Sequence, residues 1–501
     1  MLLFMNKYEY ISLSVAYQSI FKPHLANENA MDYSNLGFKC GLEIHQQLET
    51  HKLFCSCPSL VNDESKPDII LKRKIRAVAG ETGEVDKAAA FEKARARTFI
   101  YEACKTSSCL VELDEEPPHD VNEEALNFAL EIALLLNANP VDKIQFMRKT
   151  VIDGSNVSGF QRTALIATDG FIETSKGKVN VPTICLEEEA AKKISAKDNE
   201  VTYRLDRLGV ALVEIATDAS IKDPEHAKEC SSIIGMILRS TGKVKRGIGT
   251  IRQDVNVSIA GKSRVEIKGF QELRSIPIVI ENEVKRQIEL KESKPEVRKA
   301  NPDGTTEFLR PMPGAARMYP ETDVKPILVT KEMLSAIKLP ELLTEIAIRI
   351  EKQFNINADL AGSIVKEEIE FEKYALKFIK IDPTFLATAL VVYPKEIKRR
   401  HNIDVNLKEE QYNAIFGFLN EGKISKEAVI ELMKDAAEGK SIDISRFGNV
   451  SDEALRKELK AIVDANKGVS VNALMGEAMK KFRGKADGKK IMDLLKELAG
   501  Q

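Results

Sequence analysis

The sequence predicts an α+β protein in which a large mixed α/β domain is followed by an all-α helical domain and a small helical C-terminal tail domain. At 501 residues, with 43% hydrophobic and 30% charged residues, the chain is long enough for about three domains, each with its own core. Strand-like and helix-like segments alternate up to Leu328, and only amphipathic helical patterns follow it. We therefore expect domains at residues 37–328, 329–406 and 407–501.

Short β-rich runs alternating with helical stretches predict the large domain. Strand patterns cover residues 39–48, 179–186, 250–259 and 263–268. Helical spacing of apolar residues indicates helices over 87–104 and 122–136. Beyond the last strand pattern, residues 331–393 and 408–501 are typical of successive helices separated by Gly, Pro and Asn.

The N-terminal residues and the composition bear on location and partners. The first thirty residues show neither helical nor strand periodicity, so we expect residues 1–36 to be an extension and Met31 to be the working start codon. An ordered or targeting extension is the alternative. We expect no membrane contact, because no run of about 18 apolar residues occurs. Seven cysteines without a secretory signal favour reduced thiols or metal ligands and a cytoplasmic location.

An acid and an imidazole lie side by side on the first predicted strand. In residues 41–48, strand alternation places Glu43, His45 and Gln47 on one face. Carboxylate oxygens suit Mg²⁺, and the added ring nitrogen also suits Zn²⁺. The alternative for this segment alone is a solvated strand face.

Further carboxylates follow or interrupt apolar strands. Glu187 and Glu188, with Glu189 after them, end an apolar run, and Glu214 lies within another. Acid clusters at strand ends bind metals, although the dipole of a helix first turn also favours glutamates. Burying an unpaired carboxylate costs several kcal/mol, so Glu214 needs a cation partner.

The strand predicted over residues 251–259 carries an unusual polar face. Arg252, Asp254 and Asn256 alternate with apolar residues, and Lys268 adds a cation on the neighbouring predicted strand. Arg, Asp and Asn at such positions can bind a phosphate, hold Mg²⁺ and orient an amide. An ordinary solvent-facing strand is the alternative.

Four cysteines in two close pairs suggest a structural zinc site. Cys55 and Cys57 form one pair, and Cys104 and Cys109 form the other. Four thiolates are a common ligand set for structural Zn²⁺, although the C-x-C spacing is less usual than C-x-x-C. Buried free thiols are the alternative.

Two further segments have a possible role in binding phosphate. The glycine-containing loop 154–163 could offer backbone N–H groups, but on composition alone it is a turn. The net charge of −2 means that nucleic acid must be bound through a local basic patch. Such a patch, or simply a solvated face, is formed near the C-terminus by Lys480, Lys481, Arg483, Lys485, Lys489 and Lys490.

Together these motifs resemble the E-type subunits of the archaeal glutamyl-tRNA(Gln) amidotransferases, a family related to the B-type subunits of the bacterial and organellar enzymes. The resemblance rests on GLEIHQQL (41–48), LFCSCP (53–58), DGSNVSGFQRT (153–163), GTIRQDVNVS (249–258), VEIK (265–268) and LRPMPGAARMYPETD (309–323). The segments NALMG (472–476) and RGKAD (483–487) resemble the tRNA-contacting tail domain of that family. The resemblance covers nearly the whole chain after Met31 and identifies the large domain with the catalytic (cradle) domain.

This resemblance implies an ATP-dependent carbon–nitrogen ligase with glutamine as amido donor. The glutamyl side chain of Glu-tRNA(Gln) is phosphorylated with ATP and Mg²⁺, and ammonia then displaces the phosphate to give Gln-tRNA(Gln). The resemblance implies metal binding by Glu43, His45, Glu187, Glu188 and Glu214, with Asp254 close by. It assigns phosphate or substrate contacts less firmly to Arg252, Asn256 and Lys268.

The resemblance also implies a partner and reveals one departure. Ammonia comes from the asparaginase-like D-type subunit of a heterotetramer, and this sequence has no nucleophile arrangement to release it. Family members carry an inserted domain, similar to one in bacterial aspartyl-tRNA synthetases, where only residues 291–294 stand here. We expect its loss to spare the active site and to affect tRNA discrimination. The competing hypothesis is a noncatalytic tRNA-binding scaffold with a structural metal site.

Overall fold

A computed structural model describes the chain over residues 31–60, 66–77, 79, 83–270, 272–314, 317–447, 452–466, 469–482 and 488–499. Residues 1–30, most of the predicted extension, lie outside these ranges. Two compact units meet in the sequence between Leu342 and Leu343. The finer domain boundaries at 328 and 406 stay a prediction.

The first unit contains all seventeen strands of the described residues. They are numbered in chain order as β1 Lys39–Lys52, β2 Ile69–Arg73, β3 Thr98–Ala103, β4 Asn139–Pro140, β5 Lys143–Ile144, β6 Phe146–Thr150, β7 Phe160–Thr174, β8 Gly177–Glu188, β9 Lys192–Lys197, β10 Glu200–Arg204, β11 Val210–Ala216, β12 Ile251–Ser258, β13 Val265–Phe270, β14 Glu296–Ala300, β15 Thr306–Pro311, β16 Met318–Pro320 and β17 Ile327–Leu328. The large mixed sheet that they form confirms the predicted α+β class.

The central sheet has eleven strands in the order β15-β14-β13-β12-β1-β11-β8-β7-β6-β16, with β4 paired to β7. Its middle strand, β1, is antiparallel to both of its neighbours. Apolar residues of β1 such as Leu42 and Ile44 are buried in the main core, while Glu43 and His45 lie on the other face. The strand alternation expected from the sequence therefore separates a core face from a polar face.

Helices cover the apolar face of this sheet. The helix Glu123–Leu135 begins at Asn122, whose side chain accepts a hydrogen bond from the N–H of Ala125. Together with the helices Pro224–Ser240 and Ser275–Glu289, it contributes buried apolar residues to the same core as β1. The unit also contains the helices Lys87–Ala94 and Lys331–Ala336. The polar face of the sheet is thus the one that carries the candidate site.

A second sheet, in the order β2-β3-β10-β9, corrects one sequence prediction. We predicted a helix over 87–104, but the helix ends at Ala94 and residues 98–103 form β3. Ala96 adopts φ +49°, which interrupts the helix. The following Thr-Phe-Ile-Tyr run alternates buried and half-buried positions between β2 and β10, so its β-branched and aromatic side chains favour the strand.

The second unit is helical throughout its described residues. Its α-helices are Leu343–Phe354, Ala358–Lys366, Phe371–Lys377, Pro383–His401, Glu409–Asn420, Lys426–Ala437, Asp452–Ala465, Val471–Phe482 and Gly488–Ala499, with a 3₁₀ turn at Ser445–Phe447. One apolar cluster joins the helices up to residue 447, and a separate one joins the last three helices. The predicted all-α C-terminal region is confirmed. Among the described residues, no helix combines the length and apolar character needed to cross a bilayer.

Candidate active site

The register of the central sheet brings polar side chains from distant segments into one row. His45 of β1 lies opposite Glu214 of β11 on one side and opposite Arg252 of β12 on the other. Glu43 lies opposite Asp254. Because directly paired residues point to the same face of a sheet, these side chains share the polar face. The predicted acids and imidazole therefore converge although up to 211 positions separate them in the sequence.

The first of two adjacent clusters consists of His45, Glu187 and Glu214, with one candidate ligand atom of each within 4.8 Å of the others. The His45 Nε2 donates a hydrogen bond to Glu214 Oε2 at 3.1 Å. Burial lowers the pKa of His45, but the hydrogen bond and the charge of Glu214 outweigh burial and raise it overall. Two carboxylates and an imidazole are donors that fit a divalent cation.

Lys149 of β6 is a member of this site that the sequence interpretation missed. Its Nζ lies 2.5 Å from Glu187 Oε1 and 3.6 Å from Glu214 Oε2, and its side chain is 11% exposed. Burial alone would raise the pKa of Glu214, but Lys149 and His45 outweigh it and hold that pKa well below its usual range. Glu214 is therefore held in its ionised form, in which its oxygens can serve as metal ligands.

The second cluster consists of Glu43, Asp254 and Glu266, again with candidate ligand atoms within 4.8 Å. The Lys268 Nζ lies 2.6 Å from Asp254 and 2.5 Å from Glu266, and these charges outweigh burial and raise the pKa of Lys268. Asn256 donates a hydrogen bond to Glu43 at 3.0 Å. Asn256 and Lys268 of this polar row therefore contact acids rather than simply facing solvent.

Arg252 and Glu188 occupy different surroundings from those expected. The Arg252 guanidinium lies 2.6 Å from Glu189, an acid that the sequence analysis noted without assigning a role. Glu188 points away from the cluster of His45, because neighbouring residues of a strand face opposite sides. It accepts a hydrogen bond from the N–H of Arg162 at 2.8 Å, and burial raises its pKa. Of the four glutamates predicted as ligands, Glu187 and Glu214 join the cluster of His45, Glu43 lies in the second cluster, and Glu188 lies in neither.

On the face of β8 that carries Glu188, a buried network of ion pairs connects the segment 309–323 to the central sheet. Glu321, whose side chain is fully buried, accepts hydrogen bonds from Arg148 at 2.5 Å and from Arg162 at 2.7 Å. Both guanidinium groups also lie over the ring of Phe160. Because Arg162 also pairs with Glu188, this network braces the strand that carries Glu187.

The cysteines form a cluster that differs from the predicted set. Cys55, Cys57, Cys109 and Glu112 have candidate ligand atoms within 4.8 Å. Cys55 Sγ donates to Glu112 Oε1 at 3.0 Å, and burial raises the pKa of Cys109 to about 11. Cys104 lies outside this group, and its sulfur accepts a hydrogen bond from Arg204 at 3.2 Å. The C-x-x-E spacing of residues 109–112 was the available signal for the carboxylate.

The two segments proposed for phosphate binding give a mixed result. Gly154 has φ +95°, and a Cβ there would lie 2.2 Å from the ring of Phe99, so the start of the loop 154–163 is a tightly packed turn. In the basic tail, Lys480 pairs with Glu477 at 2.8 Å and Lys481 with Glu458 at 2.5 Å. Residues 483–487 of that patch lie outside the described residues.

Comparisons with known proteins agree with the resemblance found in the sequence. A family model described as the GatB/GatE catalytic domain matches residues 38–335, and a model described as the GatB domain matches residues 370–498. The chain is 38% identical to a protein of Methanocaldococcus jannaschii named as the E-type subunit of glutamyl-tRNA(Gln) amidotransferase, with 93% of this chain and 99% of the relative covered. It is 36% identical to the protein of the same name from Methanosarcina acetivorans, with 93% and 98% covered.

The alignment to the Methanocaldococcus relative extends over 625 residues, more than the 501 of this chain, so the relative contains segments that are missing here. In the structure, residues 290–295 join the helix Ser275–Glu289 to β14 directly. The polar face that carries the two carboxylate clusters is nonetheless formed by six strands of the described sheet. The chain belongs to the GatB/GatE family.

Proposed function

We propose that this chain is the component of a tRNA-dependent amidotransferase that activates the glutamyl side chain of Glu-tRNA(Gln) by phosphorylation. The observation that carries the proposal is the convergence of His45, Glu187 and Glu214, with Lys149, on one face of the central sheet. In the reaction, a side-chain carboxylate oxygen attacks the γ-phosphorus of ATP and ADP leaves. Ammonia then attacks the activated carbonyl carbon, phosphate leaves, and the amide loses a proton to give Gln-tRNA(Gln).

The clusters fit the reagents that this reaction requires. Mg²⁺ supplies charge neutralisation between two anions when bound. The residues fitted to hold it are Glu187 and Glu214 through carboxylate oxygens and His45 through a ring nitrogen, which would have to give up its proton for the metal. Lys149 offsets the negative charge of the two glutamates, so that the approach of two further anions costs less electrostatic energy.

We assign the second cluster to positioning of the substrate. Asp254 and Glu266 hold the Lys268 ammonium between them, and Asn256 holds Glu43. A lysine fixed in this way is a point charge available to a phosphate or carboxylate oxygen. Among the described residues, Arg252 contacts only Glu189 through one of its guanidinium nitrogens, so further N–H donors are left for the same task.

The nitrogen donor and the RNA require partners. Ammonia has to be supplied by a different polypeptide, for which we propose an asparaginase-like D-type subunit in a heterotetramer, because the sequence has no nucleophile arrangement of its own. The glutamyl group of the substrate is joined to tRNA by an ester bond, so the tRNA has to be bound while the glutamyl group enters the site. We propose that the helical second unit provides part of that RNA surface, with the cytoplasm as the compartment.

We propose that zinc is held by Cys55, Cys57 and Cys109 together with Glu112. Cysteine sulfur and glutamate oxygen are both zinc ligands, and the four groups match the number of ligands in a structural zinc site. Metal analysis of the purified protein is expected to find about one zinc per chain. Cys109→Ser should lose the zinc, whereas Cys104→Ser should retain it. Equal loss in both variants would instead support the four-cysteine set predicted from the sequence.

The test of the function is ATP-dependent conversion of Glu-tRNA(Gln) to Gln-tRNA(Gln) by the purified complex, with ammonium chloride replacing the natural nitrogen source. His45→Ala and Glu214→Gln are each expected to reduce kcat at least about a hundredfold, as the loss of one electrostatic contact to a transition state does. Glu272→Gln, at an exposed acid outside the site, is the matched control. If both site variants keep wild-type phosphorylation of Glu-tRNA, the chain acts as a scaffold and the assignment is wrong.

A further inference from the structure

Glu187, one of the three residues fitted to hold the metal, has both of its carboxylate oxygens held by donors from neighbouring strands. Oε1 lies 2.5 Å from Lys149 Nζ, and Oε2 accepts a hydrogen bond from Gln161 Nε2 at 3.0 Å. Lys149 and Gln161 are directly paired across β6 and β7, so they approach the carboxylate from the same face of the sheet. Because Glu187 is 1% exposed, water competes little with these two contacts.

The side-chain amide of Gln161 uses its N–H donors on two different acceptors. Besides Glu187 Oε2, its Nε2 donates a hydrogen bond to the backbone carbonyl oxygen of Glu188 at 2.8 Å. A backbone carbonyl can only accept, so the NH₂ group of the amide, and not its oxygen, faces β8. The planar amide therefore ties the carboxylate of Glu187 to the main chain of its own strand, which restricts the rotation of that carboxylate.

Lys149 contributes charge to the same carboxylate but constrains its direction less. An ammonium is a compact point charge on a flexible stem with rotatable donors, whereas the donors of an amide lie in one plane. Among the described residues, each oxygen of Glu187 accepts one side-chain hydrogen bond, and an ionised carboxylate has about four acceptor positions. The contacts with Lys149 and Gln161 thus orient the carboxylate and still leave capacity for a cation.

We infer that Gln161 is a positioning residue that orients Glu187 for binding of a divalent cation. The inference rests on the proposed function, which assigns Mg²⁺ to His45, Glu187 and Glu214. Hydrogen-bond partners of metal ligands hold the ligands in the binding geometry, and loss of such a partner weakens metal binding by about ten- to a hundredfold. Gln161 acts through Glu187 in this role, so its loss should affect the metal before it affects the substrates.

The binding experiment measures the Kd of Mn²⁺ for the purified complex without substrates, by electron paramagnetic resonance of the free ion. Mn²⁺ prefers the same oxygen ligands as Mg²⁺. Gln161→Met keeps the length of the side chain but removes its donors, and it should raise the Kd at least about tenfold.

Gln145→Met is the matched control for the loss of two amide hydrogen bonds. Gln145 Nε2 also donates to two acceptors, the backbone carbonyl oxygens of Phe146 and Glu321, at 3.0 and 3.2 Å, and neither acceptor is a proposed metal ligand. The two variants should lower the unfolding temperature by similar amounts, but Gln145→Met should leave the Kd of Mn²⁺ unchanged. Wild-type affinity in Gln161→Met, or an equal loss of affinity in both variants, would overturn the inference.

The kinetic experiment follows the dependence of conversion on magnesium, with ammonium chloride as the nitrogen source. In Gln161→Met, the Mg²⁺ concentration that gives half the maximal rate should rise at least about tenfold. The kcat at saturating Mg²⁺ and the KM for Glu-tRNA(Gln) should stay near the wild-type values, because the amide acts on the metal ligand and not on the substrate. A lower kcat with an unchanged half-saturating Mg²⁺ concentration would overturn the inference.

The same measurements separate this inference from the proposed function. If wild type binds Mn²⁺ more tightly than Gln161→Met does but converts no Glu-tRNA(Gln), the orientation of Glu187 by Gln161 is supported and the proposed function is wrong. If Glu214→Gln abolishes conversion while Gln161→Met binds Mn²⁺ as wild type does, the inference about Gln161 alone is wrong. If wild type shows no saturable binding of Mn²⁺, the metal assignment and the inference are both wrong.

Discussion

Replacing Lys149 with methionine should make the stability of the first unit depend on magnesium. The substitution keeps most of the side-chain volume but removes the cation that lies 2.5 Å from Glu187 and 3.6 Å from Glu214. Two carboxyl groups are then left close together without the ammonium between them, with His45 as the remaining partner of Glu214. A divalent cation at the proposed site would take over the role of the lost ammonium.

The expected loss follows from the burial of the partners. Glu187 is 1% exposed, and removing one partner of a buried ion pair costs about 3–5 kcal/mol. Because His45 still compensates Glu214, we expect about 3 kcal/mol for Lys149→Met without magnesium. At the usual scaling of about 2–4 °C per kcal/mol for domains of this size, the unfolding temperature falls by roughly 6–12 °C. Magnesium at about a hundred times its Kd should restore about 2.7 kcal/mol.

Differential scanning calorimetry with EDTA and with magnesium measures both quantities. Lys243→Met is the matched control, because Lys243 pairs with the buried Glu131 and the described residues offer no metal-ligand cluster there. It should lower the unfolding temperature to an extent that magnesium does not change. The reasoning is refuted if Lys149→Met and Lys243→Met respond alike to magnesium, or if magnesium stabilises Lys149→Met no more than wild type.

Three further predictions concern the surroundings of the site. Gly154→Ala should destabilise the protein by about 1–3 kcal/mol more than Gly177→Ala in urea unfolding. Both glycines have positive φ, but only a Cβ at position 154 would clash with the Phe99 ring. Equal losses in the two variants would contradict the described packing. Burial lowers the pKa of His226, so the folded state binds a proton at this residue less readily than the unfolded state does. The free energy of unfolding of the wild type should therefore fall as the pH drops below about 6.5. His226→Gln should make this dependence on pH less steep. Glu321→Gln should cost about 3 kcal/mol through the loss of its charged hydrogen bonds to two arginines, measured by chemical unfolding, and a loss below about 1 kcal/mol would show that the network does not brace the sheet.

Alternation along individual strands was the part of the site that the sequence could predict. It placed Glu43 with His45, and Arg252 with Asp254, because a side chain's face depends only on its position within its own strand. The pairing of His45 with Glu214 depends on a register between segments 169 residues apart, which tertiary contacts determine. The resemblance to a known family supplied that pairing, and periodicity did not.

Lys149, which the sequence analysis missed, lies on a strand whose sequence does not alternate. The strand β6 reads Phe-Met-Arg-Lys-Thr, so three polar residues follow one another at its end. Without alternation of apolar and polar residues, the face on which Lys149 lies cannot be predicted. The helix predicted over 87–104 is wrong for a different reason. The helical pattern holds up to Ala94, but the prediction continued it past Ala96, where the backbone turns, into the residues of β3. Single-residue backbone conformations such as this one are invisible in composition.

Because Glu187 and Glu188 are consecutive residues of one strand, the candidate site and the ion pairs behind it depend on the same inner strand of the sheet. Many enzymes change their substrates by exchanging loops around a fixed scaffold. Here, inserting or deleting one residue within β8 would exchange the acid that faces His45 with the acid that pairs with Arg162 on the other face of the sheet, and both roles would be lost at once. Evolution in such an enzyme can therefore alter recognition by adding or removing whole modules at the edges of the sheet, while the inner strands keep a fixed length.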